Sequence, residues 1–413
     1  MEALLILQEV ALLDQLLYAV GLMGAATADE RLEARPASPV TVATLRTLAA
    51  VQALAPEWRA LEARASATAT AFQACDLHLA WARHFCDTQT ELRLVTLRRN
   101  GRLVLVWPLA VQCGLLGGVA SWAGDPIGQY GDVVVEAGPD RDRWIEAAFR
   151  EIDAWGDVAF LHLRGVRADS AVARWAGRRG RRIGMTLEAP ALDHRPFENA
   201  EAFAQAGWPP AKRNVKRIRK LESLGGMNFE MVEPGERAQA LVGAGFGFKR
   251  AWLDRRGHFG RAFIDARLEA CLTELAGDAG ARSGLVVSHL SVGGETAAVE
   301  IGFRHGGVHY AFMGAFAPDF AKYSPGNVAT EFTIRACIDA ADVGEYDPLP
   351  PADAYKLAWS NRRVKVRDYG FVIGWPGFAA WLYATRLRPA AKTLYERLPL
   401  KLRQGLRVLR AKP

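Results

Sequence analysis

Three apolar runs crowd together between residues 285 and 316, and they constrain what this chain can fold into more than any other feature. LVVSHLSV (285–292) and AAVEIGF (297–303) are joined by the turn GGET, and VHYAFMGAF (308–316) follows directly. Runs of this length separated by short Gly-containing turns read as antiparallel strands, because a tight turn can only reverse the chain. The loop Tyr323, Ser324, Pro325, Gly326 and Asn327 comes next, then the helix-period stretch ATEFTIRACIDAAD, then EYDPL and AYKLAWS. A helix opening at that loop leaves backbone N–H groups free at its N-terminus, where partial positive charge collects and a pyrophosphate can sit.

The same grammar occurs earlier in the chain. Residues 52–64 and 77–85 carry apolar positions at helical spacing. LRLVTLRR (92–99) and RLVLVWPLA (102–110) flank Asn100-Gly101, the strongest short hairpin signal. Strand candidates at 131–136 and 159–165 enclose a helix at 141–155. In the second half, helices at 237–253 and 261–276 precede the three strands, a helix at 326–341 and a strand near 343–347. Both halves follow a helix-helix-hairpin-strand order, with the boundary at the helix-rich bridge 199–224 ending in Gly225-Gly226. The expected division is an N-terminal extension (1–41), a first unit with the bridging helix (42–225), a catalytic unit (226–375) and a tail (376–413).

A chain of 413 residues, half hydrophobic and 23% charged, suits two soluble globular units. Its five cysteines (75, 86, 113, 271, 337) form no CxxC pair, and its eight histidines are scattered, so no disulfide framework and no metal are expected. The first residues are apolar, but Glu2, Glu9 and Asp14 interrupt them and no base occurs before Arg31, which fits neither a secretory signal nor a membrane span. An amphipathic helix, or a stretch not translated in the cell, is the expectation there, with a linker over 25–42 and a cytoplasmic location. The tail from Pro376 onward holds nine Lys or Arg and one acid, more than the whole chain's net +7. Its apolar residues recur every three to four positions between these bases. That pattern suits a helix on anionic lipid at the inner membrane, and equally a helix docked on the protein itself.

Several residues can carry chemistry. Glu300 lies in a strand between Val299 and Ile301 and faces opposite to both. A carboxylate there is costly unless paired or open to a cleft, where its pKa would rise toward that of a base. Asp347 and Glu331 are comparable, whereas His289 reads as a satisfied core histidine. Lys212, Arg213, Lys216, Arg217, Arg219 and Lys220 fall within nine residues, and helical spacing gathers Arg213, Lys216, Arg217 and Lys220 on one face. Such a face suits an anionic ligand or, more plainly, solvent. Nucleic acid is not expected, because no aromatic interleaving accompanies the charges.

The ordered set YSPGN, EYD and AYKLAW, with FQACDLHLAWARHF (72–85), GRLVLVWPLA (101–110) and KRNVKRIRKLESLGGMNFE (212–230), resembles the CelD/BcsL-like proteins. These are GNAT-fold acyltransferases related to the FemA/FemB group and found with bacterial exopolysaccharide and holdfast gene clusters. The resemblance implies an α/β (α+β) fold of two tandem GNAT-like units, each a mixed, mostly antiparallel sheet flanked by helices. It implies an acetyl-CoA donor cradled at residues 323–327 and a sugar or glycan-precursor acceptor. Lys356, preceded by the aromatic Tyr355, matches a lysine that stabilises developing charge. Glu300 and Asp347 are then the candidate bases, and Arg213, Lys216, Arg217 and Lys220 the acceptor-binding face. The chain departs from the family pattern after Asp347, where PLPPAD (348–353) must end the strand early and stiffen the loop before Tyr355. Two other readings stay open: a FemA/FemB-like transferase using aminoacyl-tRNA, and a non-catalytic module of a polysaccharide-synthesis complex.

Overall fold

The computed structural model describes residues 40–65, 69–114, 117–256, 263, 265–278 and 283–373. The expectations for the N-terminal extension before Val40 and for the basic tail fall outside these residues.

Thirteen strands and ten α-helices are described. The strands are β1 (Val40–Leu45), β2 (Thr90–Arg99), β3 (Arg102–Gln112), β4 (Gly118–Trp122), β5 (Val134–Val135), β6 (Val158–Arg167), β7 (Arg181–Asp193), β8 (Met227–Val232), β9 (Leu285–Val292), β10 (Glu295–His305), β11 (Val308–Phe316), β12 (Glu345–Asp347) and β13 (Arg362–Val372). The helices are α1 (Leu48–Glu62), α2 (Cys75–Phe85), α3 (Arg141–Asp153), α4 (Ala173–Arg179), α5 (Ala200–Gln205), α6 (Pro209–Glu222), α7 (Glu236–Arg256), α8 (Ala266–Gly277), α9 (Pro325–Asp339) and α10 (Ala354–Leu357).

The chain forms two compact units, and each draws on separate stretches of sequence. Of the described residues, the first takes those from 40 to 69, 85 to 185 and 367 to 373; the second takes those from 70 to 84 and 186 to 366. This division differs from a cut at Gly225-Gly226. The bridging helix α6 belongs with the second unit because its buried Asn214 bonds to Asn327 and Glu331 of α9.

In the first unit β1, β2, β3 and β4 are antiparallel neighbours, and β4 then pairs parallel with β6 after the crossover through α3. Asn100 and Gly101 both take positive φ, as a type I′ hairpin turn requires. The core is aromatic. The buried Trp175 ring stacks on Phe371 at 5.1 Å, meets Trp107 edge-on at 5.6 Å, and its Nε1–H donates to Glu146 at 2.8 Å. Arg93, 2% exposed, lies over Trp155 and binds both Glu91 and Asp157. A buried guanidinium is tolerated there because each of its edges has a carboxylate.

The second unit repeats this plan. β8, β9, β10 and β11 are antiparallel, and β11 pairs parallel with β12 after the crossover through α9. Both units are thus mixed, mostly antiparallel sheets flanked by helices. Helix α7 covers one face, where Gly245 lies against Val299 and Met313. Helix α9 covers the other, where the Thr333 hydroxyl donates to Ser288 at 2.8 Å. Phe72, from the segment ahead of α2, completes the core against Phe303 and Tyr310.

Removing the Trp175 ring empties a fully enclosed space. Trp175→Ala is expected to destabilise the first unit by about 3–5 kcal/mol. Chemical denaturation followed by a fluorescence probe in that unit checks this, and a change below about 1 kcal/mol would contradict the packing described.

Candidate active site

The geometry begins at the parallel pair. β11 and β12 match over three residues only: Val308 with Glu345, His309 with Tyr346, and Tyr310 with Asp347. β12 then stops at Asp347, where the prolines begin, while β11 runs on to Phe316. Among the described residues, β11 has no partner strand on that side from Ala311 to Phe316, so a row of its backbone groups is left open. Gly314, in the middle of this edge, faces open space.

Beneath the three-residue pairing sits a buried polar cluster. The Glu300 carboxylate is 6% exposed and both its oxygens are occupied: His309 Nε2 lies 3.2 Å from one, and the Tyr346 hydroxyl donates to the other at 3.0 Å. The His309 ring is fully buried and stacks on Tyr346 with 7° between planes. It fits because residue 302 is glycine; a Cβ there would stand 2.7 Å from the ring. The strand is also irregular between Ile301 and Gly302, as strands beside functional sites often are. Burial disfavours a charged imidazole, but Cys337 and the Glu300 carboxylate outweigh it and push His309 up to about 9. Burial, reinforced by Glu300, holds the Tyr346 phenol well above its usual range.

The expectation that Glu300 opens onto a cleft as a free base is corrected. The α9 face of the sheet encloses it, and two partners occupy its oxygens. Asp347 is fully buried and accepts from the Leu349 N–H at 2.8 Å, folding the proline loop back on itself. Glu331 is likewise tied up, between Asn214 and Arg335 of its own helix. His289 is satisfied by Glu230 at 3.0 Å and Thr296 at 3.1 Å.

Lys356 and Tyr355 stand on α10, just past this loop. The Lys356 ammonium donates to the Leu349 carbonyl at 2.9 Å, and burial holds its pKa below the usual lysine range. Tyr355 is more than half exposed, yet burial of its hydroxyl end, with Asp353 and Glu300 nearby, pushes its pKa up to about 12. The Glu300 charge thus reaches Tyr355 and the Asp347 charge reaches Lys356, which links α10 to the strands that carry these carboxylates.

The loop from Tyr323 to Asn327 leads from the open edge of β11 into α9. Ser324 takes a positive φ of 55°, and the Asn327 N–H closes back on the Ser324 carbonyl at 3.1 Å. Among the described residues the Gly326 N–H has no hydrogen-bond partner. A Cβ on Gly326 would only reach ordinary contact with the Phe316 ring, at 3.4 Å, so a bulkier side chain is needed to crowd the turn. Helix α6 lies alongside: Asn214 Nδ2–H donates to the Asn327 carbonyl at 2.9 Å, and Arg217 donates to Asn214 at 2.7 Å. Arg213, Lys216 and Lys220 are exposed, and none of these three or Arg217 has an ion pair among the described residues. Sequence reasoning missed His309 and Tyr346, whose roles depend on groups brought by other strands.

Residues 211–357 match a family profile described as an acetyltransferase (GNAT) domain. The second unit thus carries a GNAT acetyltransferase-like domain, and its fold is that of an acyltransferase. A comparison with curated proteins finds no match. Among solved structures, FemX has a TM-score of 0.56 at 10% identity, covering 80% of this chain and 98% of FemX, a likeness that shows the shared fold. A tandem GNAT protein from the clavulanic acid biosynthesis pathway gives a TM-score of 0.46 at 12% identity, covering 81% of this chain and 99% of that one. No described helix is long and apolar enough to cross a membrane, and no metal-holding cluster occurs among the described residues.

His309 makes stability depend on pH. Its folded pKa of about 9 lies above the unfolded value near 6.5, so its contribution is full below pH 6.5 and is lost as pH rises through 9. Urea midpoints measured from pH 6 to 10 should fall across that window in the parent, and His309→Gln should flatten the fall.

Proposed function

We propose that the second unit is an acyl-CoA-dependent N- or O-acyltransferase, with acetyl-CoA as donor and an amino sugar or hydroxyl of a cell-envelope or exopolysaccharide precursor as acceptor. The observation that carries this reading is the divergence of β11 from β12 directly before the α9 turn. A donor with an extended, amide-bearing arm and a pyrophosphate needs an open strand edge for the first and unpaired N–H groups for the second. The edge from Ala311 to Phe316 offers the first; within the turn Ser324 to Asn327 the Gly326 N–H is the one left for the second, since Pro325 has none and the Ser324 and Asn327 N–H groups bond to the Ala321 and Ser324 carbonyls.

The donor supplies an activated acyl thioester. The chain's own residues bind, orient and neutralise. Tyr323, Ser324, Pro325, Gly326 and Asn327 cradle the phosphates. Lys356, held against the Leu349 carbonyl, offers its remaining N–H groups to an oxygen that gains negative charge. Tyr355 contacts the acceptor, and Glu300 acts through Tyr346 and His309 as a positioning group. Asp347 fixes the loop on which Lys356 depends. Arg213, Lys216, Arg217 and Lys220 receive an anionic part of the acceptor, since a half-unpaired row of cations is the natural counterpart of phosphate or acidic glycan. The basic tail is proposed to hold the protein at the inner membrane face, where such precursors are handled. An aminoacyl-tRNA donor is the second reading, favoured by the FemX-like fold alone.

Calorimetric titration with acetyl-CoA tests the donor. Micromolar-range binding that Gly326→Trp removes is expected, because the indole would fill the turn against Phe316. Absence of binding by the parent protein would overturn the acyl-CoA reading. With an acceptor in hand, Lys356→Met should lower kcat by about 10²–10³ while leaving donor binding within about twofold.

A further inference from the structure

Lys249 stands apart from the other cations of its neighbourhood. It lies on α7, half buried, with its ammonium 5.1 Å from the Trp252 ring centre and 5.4 Å from that of Phe263. Among the described residues it has no hydrogen bond and no ion pair. Its chain neighbour Arg250 shows the contrast: that guanidinium pairs with Glu269, and its Nε–H donates to the Phe263 carbonyl at 3.1 Å. Arg250 thereby fixes the aromatic wall, while Phe246 backs it at 6.1 Å. Lys249 is left as a cation taken partly out of water, facing ring faces and, among the described residues, no carboxylate. Burial alone lowers its pKa, and its charge in turn adds to the lowering at Lys356.

The two ring faces offset part of the cost of taking this ammonium out of water, and a ligand carboxylate beside it would supply the negative charge that rings do not carry. Flat aromatic faces beside it add an apolar platform for the C–H face of a ring. We infer that Lys249, Trp252 and Phe263 form an acceptor subsite that recognises the carboxylate of an acidic sugar, Lys249 pairing with the carboxylate and the rings carrying the pyranose. One compact ammonium suits one carboxylate; a phosphate is better matched by several donors, as on α6. This rests on the sugar-acceptor reading above and narrows it to a uronic-acid class of residue.

The test uses the full-length protein, with D-glucuronate, D-glucose and inorganic phosphate as probes. Lysines are modified with an amine-reactive acylating reagent and the sites read by mass spectrometry. Glucuronate is expected to slow modification of Lys249 at least fivefold relative to exposed Lys216, whereas glucose and phosphate leave it unchanged. In calorimetry, Lys249→Met should weaken glucuronate binding by about tenfold or more, and Lys249→Arg should retain most of it. Protection by phosphate and not glucuronate overturns the carboxylate assignment, and protection by neither overturns the subsite. The footprint on the parent protein decides the matter even where Lys249→Met fails to fold. Acetyl-CoA titration run alongside separates the two claims: glucuronate protection without donor binding would leave the subsite standing and sink the acyltransferase reading.

Discussion

Three residues of parallel pairing underlie the second unit's candidate site, and a buried charge cluster secures them. That parallel pairing alone would be weak, since parallel pairing is slightly the less stable kind and β12 offers only Glu345, Tyr346 and Asp347 to the longer β11. Glu300 from β10, His309 from β11 and Tyr346 from β12 tie all three strands through one carboxylate. With the strands pinned at that point, β11 and the proline loop are free to separate beyond it. Separation without the pin would only be fraying. With it, the gap has fixed walls.

The arrangement explains why the polar groups lie where they do. Glu300 would be expensive in the core by itself, and its cost is offset by an imidazolium and a phenol brought from different strands. Gly302 makes the room that the imidazole needs. Lys356 gains a fixed position from carbonyls of the same proline loop that ends β12. Near the open edge, Lys356 is anchored to a backbone carbonyl, Asp347 to the Leu349 N–H and Tyr346 to Glu300.

Much of the fold was legible in the residues. The Asn100-Gly101 hairpin, the meander from 285 to 316 and the helix after Gly326 carry local signals that suffice, because turn chemistry and apolar period are short-range properties. The strand β7 was not legible, because it is exposed along most of its length and shows no buried period; β13 does alternate from Arg363 to Val366, a short signal that lay beyond the motifs read. The division into units also escaped a linear reading, because Phe72 packs with residues more than two hundred positions away. For the site, Glu300, Tyr355, Lys356 and the 323–327 loop could be singled out by residue type and setting. Their mutual roles could not. That Glu300 would be fully bonded depends on His309 and Tyr346, and nothing in a single strand's sequence reports what a neighbouring strand brings.

The borrowed segment 70–84 has a consequence for how the protein is made. The ribosome releases this stretch long before β9, β10 and β11 exist, so Phe72 emerges without the Phe303 and Tyr310 rings that it will join. Conversely, the first unit needs Tyr369 and Phe371, which appear only after nearly all of the second has been synthesised. Neither unit can finish its core from a contiguous length of nascent chain. Vectorial synthesis therefore leaves both incomplete until late, and the exposed aromatic residues of the waiting pieces are where a chaperone would be expected to bind.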